Sequence, residues 1–266
     1  MRYGLDLPNF GDFADVSLIA ELAATAEESG WDGFFVWDHI ARSTAYPPGI
    51  PVADVTVALT AIALATRRIR FGALVTPLPR RRPHKLAREL VTLDHLSGGR
   101  ITLGVGLGSP PDAEFEAFGE PGDARVRADL LDESLEVITG LWSGERVDFD
   151  GERLHVHTEG FAPRPVQQPR IPVWVAARWP SPGRPIRRAA RWDGIVPVAP
   201  SGGGNLTADD IATIRDRVGR DDFEIVATPP KDASRSDYES AGATWWISEA
   251  TDRDAALAKA KAGPPG

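Results

Sequence analysis

Cysteine is absent from the 266-residue chain, and so are long apolar runs. Without thiols the chain forms no disulfide, no thiolate nucleophile and no cysteine-based metal site. No stretch reaches the roughly 18 apolar residues that indicate a transmembrane helix, and the first residues lack the apolar core of a signal peptide. We therefore expect a cytoplasmic protein without a membrane partner, because a reducing compartment suits a chain that makes no disulfides.

Basic residues are outnumbered, since 30 Lys and Arg stand against 38 Asp and Glu and leave a net charge of −8. A nucleic-acid partner is not expected, because phosphate backbones bind basic surfaces. Histidine is also scarce, and of the five only His155 and His157 are close in sequence. These two would share one face of a strand, with no evident carboxylate partner at a spacing typical of metal ligands, so we predict no metal site.

The chain alternates short β-like runs with amphipathic stretches, which predicts a parallel sheet with crossover helices. Eight such units in one chain favour a single α/β domain, a (β/α)8 TIM barrel over residues 1–266, with an open doubly wound sheet as the alternative. No strand–Gly-x-Gly-x-x-Gly–helix unit supports a dinucleotide fold, because the run Gly104–Gly108 leads into prolines. The predicted strands are Tyr3–Leu7, Gly33–Trp37, Ile69–Val75, Ile101–Gly106, Pro172–Ala176, Gly194–Val198, Glu224–Thr228 and Thr244–Ile247.

Helix ends, one hairpin and one loop follow from local signals. Asp15 is predicted to cap the first helix and Gly30 to follow its last turn. The segment Val147–His157 alternates around Asp150-Gly151, which predicts a small hairpin after the fourth helix. The segment Ala199–Asn205 is predicted to be a loop at the barrel mouth. Buried helical stripes are predicted at Leu86, Leu90, Leu93 and Leu96, and at Leu131, Leu135, Ile138 and Trp142.

Polar residues at the carboxyl ends of barrel strands face the active site, which directs attention to Asp38 and His39 after the second strand. A histidine donates a hydrogen bond or transfers a proton near neutral pH. A neighbouring aspartate either fixes the tautomer of that histidine or binds the local backbone. The alternative is a helix-capping aspartate beside a histidine with a structural role.

Two further strand ends offer room for a flat ligand. The third strand carries small and apolar residues where an aromatic ring could pack, although a plain core strand has the same pattern. The glycines of the fourth strand allow close approach by a ligand or by another backbone. Phe10, Trp37 and Trp179 suggest an aromatic pocket, or ordinary packing.

Arginines near the predicted mouth are candidates for binding an anion. The run Arg80–Arg82 is either a solvated loop or a site for an anionic tail. Arg178 is the better phosphate candidate, because its loop precedes the fifth helix, although a proline-rich connector explains that loop equally well.

An ordered set of segments resembles the bacterial luciferase-like superfamily of flavin- and deazaflavin-dependent oxidoreductases. The set covers most of the chain, and the resemblance thins after Gly194. Its local features are most similar to short members predicted to use coenzyme F420. The segments are Tyr3–Leu5, Ala26–Asp32, Phe35–His39, Arg70–Pro77, Leu96–Arg100, Gly104–Gly108 and Arg191–Gly194.

The resemblance implies a TIM barrel with the cofactor ring at its C-terminal mouth. It implies a cis peptide between Leu74 and Val75, with His39 beside the ring and Asp38 supporting it as the catalytic residues. Trp37 and Trp179 would contact substrate. The implied cofactor-binding residues are Asn9, Ala73, Leu74, Val75, Thr76, Gly106, Leu107, Gly108, Ala176, Ala177, Arg178 and Val198.

The resemblance also implies a reaction class, hydride transfer between coenzyme F420 and a small organic substrate. The polyglutamate tail of F420 would suit Arg80–Arg82. The alternatives are an FMN-dependent monooxygenase that uses O2, a flavin-binding protein without catalysis, and a cofactor-free barrel hydrolase. Sugar-phosphate dehydrogenases of this superfamily carry a Glu after the fourth strand, where this chain has Ser109, so sugar-phosphate oxidation is not predicted. A homodimer is implied, with Val55–Ala65 as its candidate interface.

Overall fold

A computed structural model describes residues 1–41, 49–180, 183–199 and 206–265. Within these residues, eight parallel strands close into a barrel in the order β1-β10-β9-β8-β7-β4-β3-β2. This is the predicted TIM barrel, and every predicted barrel strand is present with its ends shifted by no more than a few residues. The barrel strands are β1 Arg2–Leu7, β2 Gly33–Val36, β3 Arg70–Pro77, β4 Ile101–Gly106, β7 Val173–Arg178, β8 Gly194–Val198, β9 Glu224–Ala227 and β10 Trp245–Glu249.

Helices connect the strands around the outside of the barrel, and their buried faces pack on its outer surface. None of the helices in the described segments is long and apolar enough to cross a membrane. The helices are α1 Val16–Glu28, α2 Val55–Ala65, α3 Pro83–Ser97, α4 Pro111–Glu114, α5 Ala124–Trp142, α6 Arg184–Ala189, α7 Ala208–Val218, α8 Arg235–Ala241 and α9 Arg253–Ala262.

The local helix signals are confirmed with one exception. The Asp15 carboxylate accepts a hydrogen bond from the backbone N–H of Ser17, and Gly30 follows α1 with a φ of +90°. In α3, however, Leu96 is exposed. A helix turns 100° per residue, so Ser97 rather than Leu96 continues the buried row that ends at Leu93.

The predicted hairpin is confirmed as the antiparallel pair β5 (Val147–Asp150) and β6 (His155–Thr158), which follows α5 outside the barrel. Each histidine of the hairpin has a carboxylate neighbour that the sequence did not reveal. His155 Nδ1 lies 3.1 Å from Asp150 Oδ1, and His157 Nδ1 lies 3.2 Å from Asp148 Oδ1. The hairpin register places these residues directly opposite each other. The described residues still contain no group of ligands that could hold a metal ion.

The barrel interior is filled from its base upward by large rings. Phe35, Trp174 and Trp245 contact one another with centroid separations of 5.4–5.7 Å. Gly33 makes room for them, because a Cβ there would lie 2.6 Å from the Phe35 ring. The base of the barrel is therefore closed, and the inward side chains nearer the carboxyl ends of the strands are left to form a site.

The loop predicted at the barrel mouth, Ala199–Asn205, lies outside the described segments except for its first residue.

Candidate active site at the barrel mouth

His39 is anchored through its backbone by Asn9 from the loop after β1. The Asn9 Nδ2 donates to the carbonyls of His39 and Ala53 at 2.8 Å each, and its Oδ1 accepts from the His39 N–H at 3.1 Å. Asn9 is fully buried and both ends of its amide are occupied. Asn9, assigned to cofactor binding from the sequence, thus has its amide engaged within the protein and positions the backbone of His39.

The imidazole of His39 is oriented by Glu114. His39 Nδ1 lies 2.9 Å from Glu114 Oε1, and the Glu114 side chain is only 1% exposed. Burial opposes its charge, but the hydrogen bond from His39 and the Arg80 guanidinium bring the pKa of Glu114 below its ordinary value. An ionised carboxylate only accepts hydrogen bonds, so Nδ1 carries the proton and Nε2 of the neutral ring is the basic nitrogen.

Asp38 does not contact the imidazole of its neighbour. Its buried carboxylate accepts hydrogen bonds from Arg80 Nη2 at 2.7 Å and from Arg81 Nη2 at 2.6 and 2.7 Å. Neither sequence-based role for Asp38, as tautomer partner or as a backbone-binding group, describes these contacts. Asp38 acts through the two arginines, of which Arg80 also donates to Glu114 at 2.8 Å.

The same ion pairs correct the expectation for the run Arg80–Arg82. Arg80 is buried and Arg81 is partly buried, and the guanidinium groups of both bind Asp38. They therefore form neither a solvated loop nor a free site for an anionic tail. Arg82, at the start of α3, is the exposed member of the run.

The sequence did not identify Glu114 as a site residue. A glutamate was expected directly after β4, where this chain has Ser109. The loop after β4 instead carries the carboxylate five residues further on, in the single turn of α4. Arg127 from α5 fixes this loop by donating to the carbonyls of Leu107 and Gly108 at 3.0 and 2.8 Å. Leu107 and Gly108, assigned to cofactor binding from the sequence, are thus held against α5.

Aromatic rings form one wall of the mouth. The ring centroids of Phe10, Trp37 and His39 lie 5.7–6.0 Å apart in tilted and edge-on arrangements. Trp37 Nε1 donates to Asp6 Oδ2 at 2.8 Å, which fixes the indole plane. The structure thus brings the predicted substrate residue Trp37 together with the predicted catalytic histidine.

The third strand bulges toward the barrel axis at Leu74 and Val75. The register with β4 shifts between Ala73 and Thr76, and the Leu74–Val75 peptide is cis, as the resemblance implies. Both side chains are partly exposed and pack against the interior cluster of the barrel. A Cβ on Gly106 would lie 2.7 Å from Val75 Cγ2, so only glycine fits beside this bulge. Leu74 and Val75 thus form an apolar shelf on the inner wall of the barrel mouth.

Four predicted site residues point away from the shelf or lie outside the mouth. Ala73, Thr76 and Ala177 are buried, and their positions alternate with the inward-facing residues of β3 and β7. Trp179 is buried against α7, where its Nε1 donates to Asp210 Oδ1 at 2.8 Å and Arg217 stacks on its ring. Trp179, assigned to substrate contact from the sequence, thus packs on α7 and is not part of the wall formed by Phe10, Trp37 and His39.

The remaining predicted residues are compatible with a ligand at the mouth. Ala176 is partly exposed and packs on the interior cluster beside Leu74 and Val75. Arg178 and Val198, register partners at the ends of β7 and β8, are both exposed. The Arg178 guanidinium has no ion pair or hydrogen bond within the described segments, so it is available to an anionic group.

A separate cavity of about 200 Å3 lies at the opposite end of the barrel. Its wall includes Arg2 and Glu224, which form an ion pair, and Arg70, which donates to Thr102 Oγ1 at 2.8 Å. These residues lie where the strands begin, an end of TIM barrels that serves stability rather than chemistry. The mouth near His39 is therefore the candidate active site.

A family model described as luciferase-like monooxygenase matches residues 8–248. The chain belongs to this family. An uncharacterized protein of Mycobacterium tuberculosis (strain ATCC 25618 / H37Rv) is 35% identical over 172 residues, which is 59% of this chain and 60% of the relative. An F420-dependent glucose-6-phosphate dehydrogenase of Nakamurella multipartita is 31% identical over 203 residues, 76% of this chain and 58% of the relative. The chain thus spans about three-fifths of the length of these family members.

Solved structures share the fold of the family. A coenzyme F420-dependent tetrahydromethanopterin reductase from Methanopyrus kandleri superposes with a TM-score of 0.75 at 18% identity and 96% coverage of both chains. An F420-dependent secondary alcohol dehydrogenase in complex with an F420–acetone adduct has a TM-score of 0.68 at 23% identity, over 85% of this chain and 67% of the other. At these identities the likeness shows a common barrel and no more.

Proposed function

We propose that the protein is an F420-dependent oxidoreductase that transfers hydride to or from a small organic substrate at the barrel mouth. The observation that carries the proposal is the shelf at Leu74 and Val75 together with His39, whose basic nitrogen is defined by Glu114. Family membership and the names of the F420-dependent relatives support the choice of cofactor. A deazaflavin bound on the shelf supplies or accepts the hydride.

The residues of the chain bind and orient the reactants. Leu74 and Val75, with Gly106 beside them, present an apolar surface to the cofactor ring. Arg178, exposed at the end of β7, is the proposed partner of the phosphate of the cofactor. Arg82 is the exposed cation available to an anionic tail, because Arg80 and Arg81 are engaged by Asp38.

His39 is the proposed substrate-binding group. With Nδ1 directed at Glu114, its Nε2 accepts a proton or hydrogen bond from a substrate hydroxyl, and the protonated ring donates to a carbonyl. Phe10 and Trp37 flank the imidazole of His39 and exclude water from that side of the imidazole. A small substrate with an apolar body and one oxygen or nitrogen at the reacting carbon fits this wall.

Sugar-phosphate oxidation is not part of the proposal, although relatives bear that name. Position 109 is serine, and Glu114, the buried glutamate of the loop after β4, already binds His39 and Arg80. A carboxylate engaged in this way with a lowered pKa is poorly suited to act as an acid.

The test is titration of the purified protein with F420 and, separately, with FMN, followed by absorbance and fluorescence. Tighter binding of F420 is expected, and tighter binding of FMN would instead favour the monooxygenase alternative. Replacing His39 with Gln should lower turnover of an identified substrate by roughly 10²-fold or more while F420 affinity changes little. His84→Gln, at an exposed position on α3, is the matched control and should behave as wild type. Full activity of the His39 variant would refute its role.

A homodimer formed through α2 is part of the proposal. The 11 residues of α2 include no charged side chain, and Val57 and Leu64 on its outer face are 55% and 58% exposed. An uncharged apolar face of this kind suits a self-complementary contact with a second copy. The cytoplasmic location stays a prediction from the sequence.

A further inference from the structure

Two carboxyl side chains that have no part in the proposal above lie side by side in the barrel wall. Asp6 in β1 and Glu249 in β10 are register partners on adjacent parallel strands. Two residues earlier on each strand, Gly4 and Ile247 meet inside the barrel, since a Cβ on Gly4 would lie 2.9 Å from Ile247 Cδ1. Side chains alternate along a strand, so Asp6 and Glu249 also face inward, at the carboxyl ends that form the mouth.

Asp6 is the buried member of this pair, with an exposed fraction of 4%. Its Oδ2 accepts the hydrogen bond from Trp37, whereas its Oδ1 is buried and has no hydrogen-bond partner among the described residues. A buried carboxyl oxygen costs free energy unless a proton, a water molecule or a ligand satisfies it. Asp6 Oδ1 is thus a polar atom inside the barrel, on the same wall as Trp37 and His39.

Glu249 is the exposed member and connects the pair to solvent. Adjacent strands are roughly 5 Å apart, so two inward carboxyl groups in register lie within reach of one proton, directly or through one water molecule. The nearby cation is Lys259 of α9, whose Nζ donates to the Glu249 backbone carbonyl. Glu249 therefore contacts solvent at the rim of the barrel, and Asp6 lies beside it as a buried acid.

Loss of contact with water favours the protonated form of both carboxyl groups. Burial raises the pKa of Asp6 well above its ordinary value, and the charge of Glu249 raises it further, against the opposing hydrogen bond from Trp37. Glu249 is exposed as a residue, but the inward direction of its carboxyl group partly removes that group from water and raises its pKa, while Lys259 opposes that change. Neighbouring carboxyl groups of this kind titrate as a unit and share a proton.

We propose that Asp6 and Glu249 form a two-carboxylate relay that passes protons between solvent and the substrate at the barrel mouth. The inference rests on the proposed hydride transfer. When hydride bonds to the carbon of a C=O or C=N group, the oxygen or nitrogen takes the proton of Asp6, which is left as a carboxylate. Glu249 then returns a proton to Asp6 and takes one from water. His39 binds the same heteroatom, and substrate oxidation runs these steps in reverse.

The relay is tested by infrared spectroscopy of the whole protein with its aspartate carboxyl carbons labelled with ¹³C. At neutral pH the wild type and Glu249→Gln are expected to show the C=O stretch of a protonated aspartate, which Asp6→Asn loses. After rapid mixing into D2O, the proton–deuteron exchange of this band should be slower by about tenfold or more in Glu249→Gln. Glu145→Gln, an exposed carboxylate on another part of the chain, is the matched control and should exchange as wild type does.

Either of two results overturns the relay: a spectrum unchanged by Asp6→Asn, or an unchanged exchange rate in Glu249→Gln. The second measurement does not depend on the folding of an Asp6 variant, because Glu249 is exposed at the rim. F420 binding by the wild type is measured in parallel. Loss of the proposed function would appear there, as absent binding, whatever the spectra show. With F420 bound and a substrate identified, Asp6→Asn should lower kcat by roughly 10²-fold without weakening F420 affinity.

Discussion

At the scale of single residues, the mouth depends on a compact set of opposite charges behind His39. The carboxylates of Asp38 and Glu114 are matched by the guanidinium groups of Arg80 and Arg81, with three of the four side chains almost fully buried. Buried ion pairs contribute little net stability, but removal of one partner leaves the other charge buried without compensation. Arg80 binds both carboxylates, so removal of either one leaves part of its buried charge without a partner.

Replacing Glu114 with Ala should therefore destabilise the protein by about 3 kcal/mol at neutral pH. Because the pKa of Glu114 is lowered in the folded state, its stabilisation is present above the pKa of an unfolded glutamate. It is lost as the pH falls through the folded pKa, so the difference from wild type should shrink in acid. Urea unfolding at a series of pH values measures this difference.

The control for this prediction is Glu120→Ala, which removes an exposed carboxylate six residues away. It should change stability by no more than about 0.5 kcal/mol at any pH. A Glu114 variant that matches this control, or one whose deficit does not depend on pH, would show that loss of the Glu114 charge does not leave Arg80 with a costly uncompensated charge.

The place of Asp38 and His39 at the barrel mouth could be predicted from the sequence, because polar residues at the carboxyl ends of barrel strands face the active site and only the strand positions are needed to find them. Their partners could not. The two residues are adjacent, which suggested a direct contact, yet His39 binds Glu114 whereas Asp38 binds Arg80 and Arg81. The true neighbour, Glu114, is 75 residues away in sequence, and only the closed barrel brings it to the ring.

At the scale of elements, strands and helix caps were predictable because their signals are local. Alternation marks the strands, and Asp15 and Gly30 mark the two ends of α1. The bulge in β3 and the single turn of α4 have no comparable local signal. The bulge requires the close approach of β4, where the glycines Gly72 and Gly104 face backbone carbonyls of the neighbouring strand.

Gly72→Ala tests whether the close packing of β3 against β4 is important. A Cβ at position 72 would lie 2.2 Å from the Thr102 carbonyl oxygen, a backbone atom that moves only with its strand. We expect a loss of roughly 1–3 kcal/mol in the free energy of unfolding, the usual cost of overpacking. Denaturant unfolding monitored by tryptophan fluorescence measures it.

The matched substitution is Gly140→Ala in α5, where a Cβ would meet Val147 at an ordinary 3.5 Å. A glycine within a helix costs about 0.5–1 kcal/mol relative to alanine, so this variant should be as stable as wild type or more so. Equal stability of the two variants would mean that β3 and β4 separate easily and that the bulge does not depend on their close approach.

At the scale of the whole molecule, the two ends of the barrel differ in chemistry. The base is closed by the tilted and edge-on rings of Phe35, Trp174 and Trp245 and by the ion pair of Arg2 with Glu224. The mouth carries an oriented imidazole, an apolar shelf and the exposed Arg178. This division follows from the direction of the strands, because all eight described barrel strands place their carboxyl ends together.

The exposed apolar face of α2 leads to a prediction about assembly. Val57→Glu combined with Leu64→Glu places two charges on the exposed face of α2, so the proposed dimer should dissociate to monomers in sedimentation experiments. The monomer should stay folded, because both native side chains are already more than half exposed and lose little burial. Val166→Glu introduces the same charge at another exposed apolar position, in the loop before β7, and should leave the dimer intact. A wild-type protein that sediments as a monomer at micromolar concentration, or a dimer that only Val166→Glu disrupts, would move the interface away from α2.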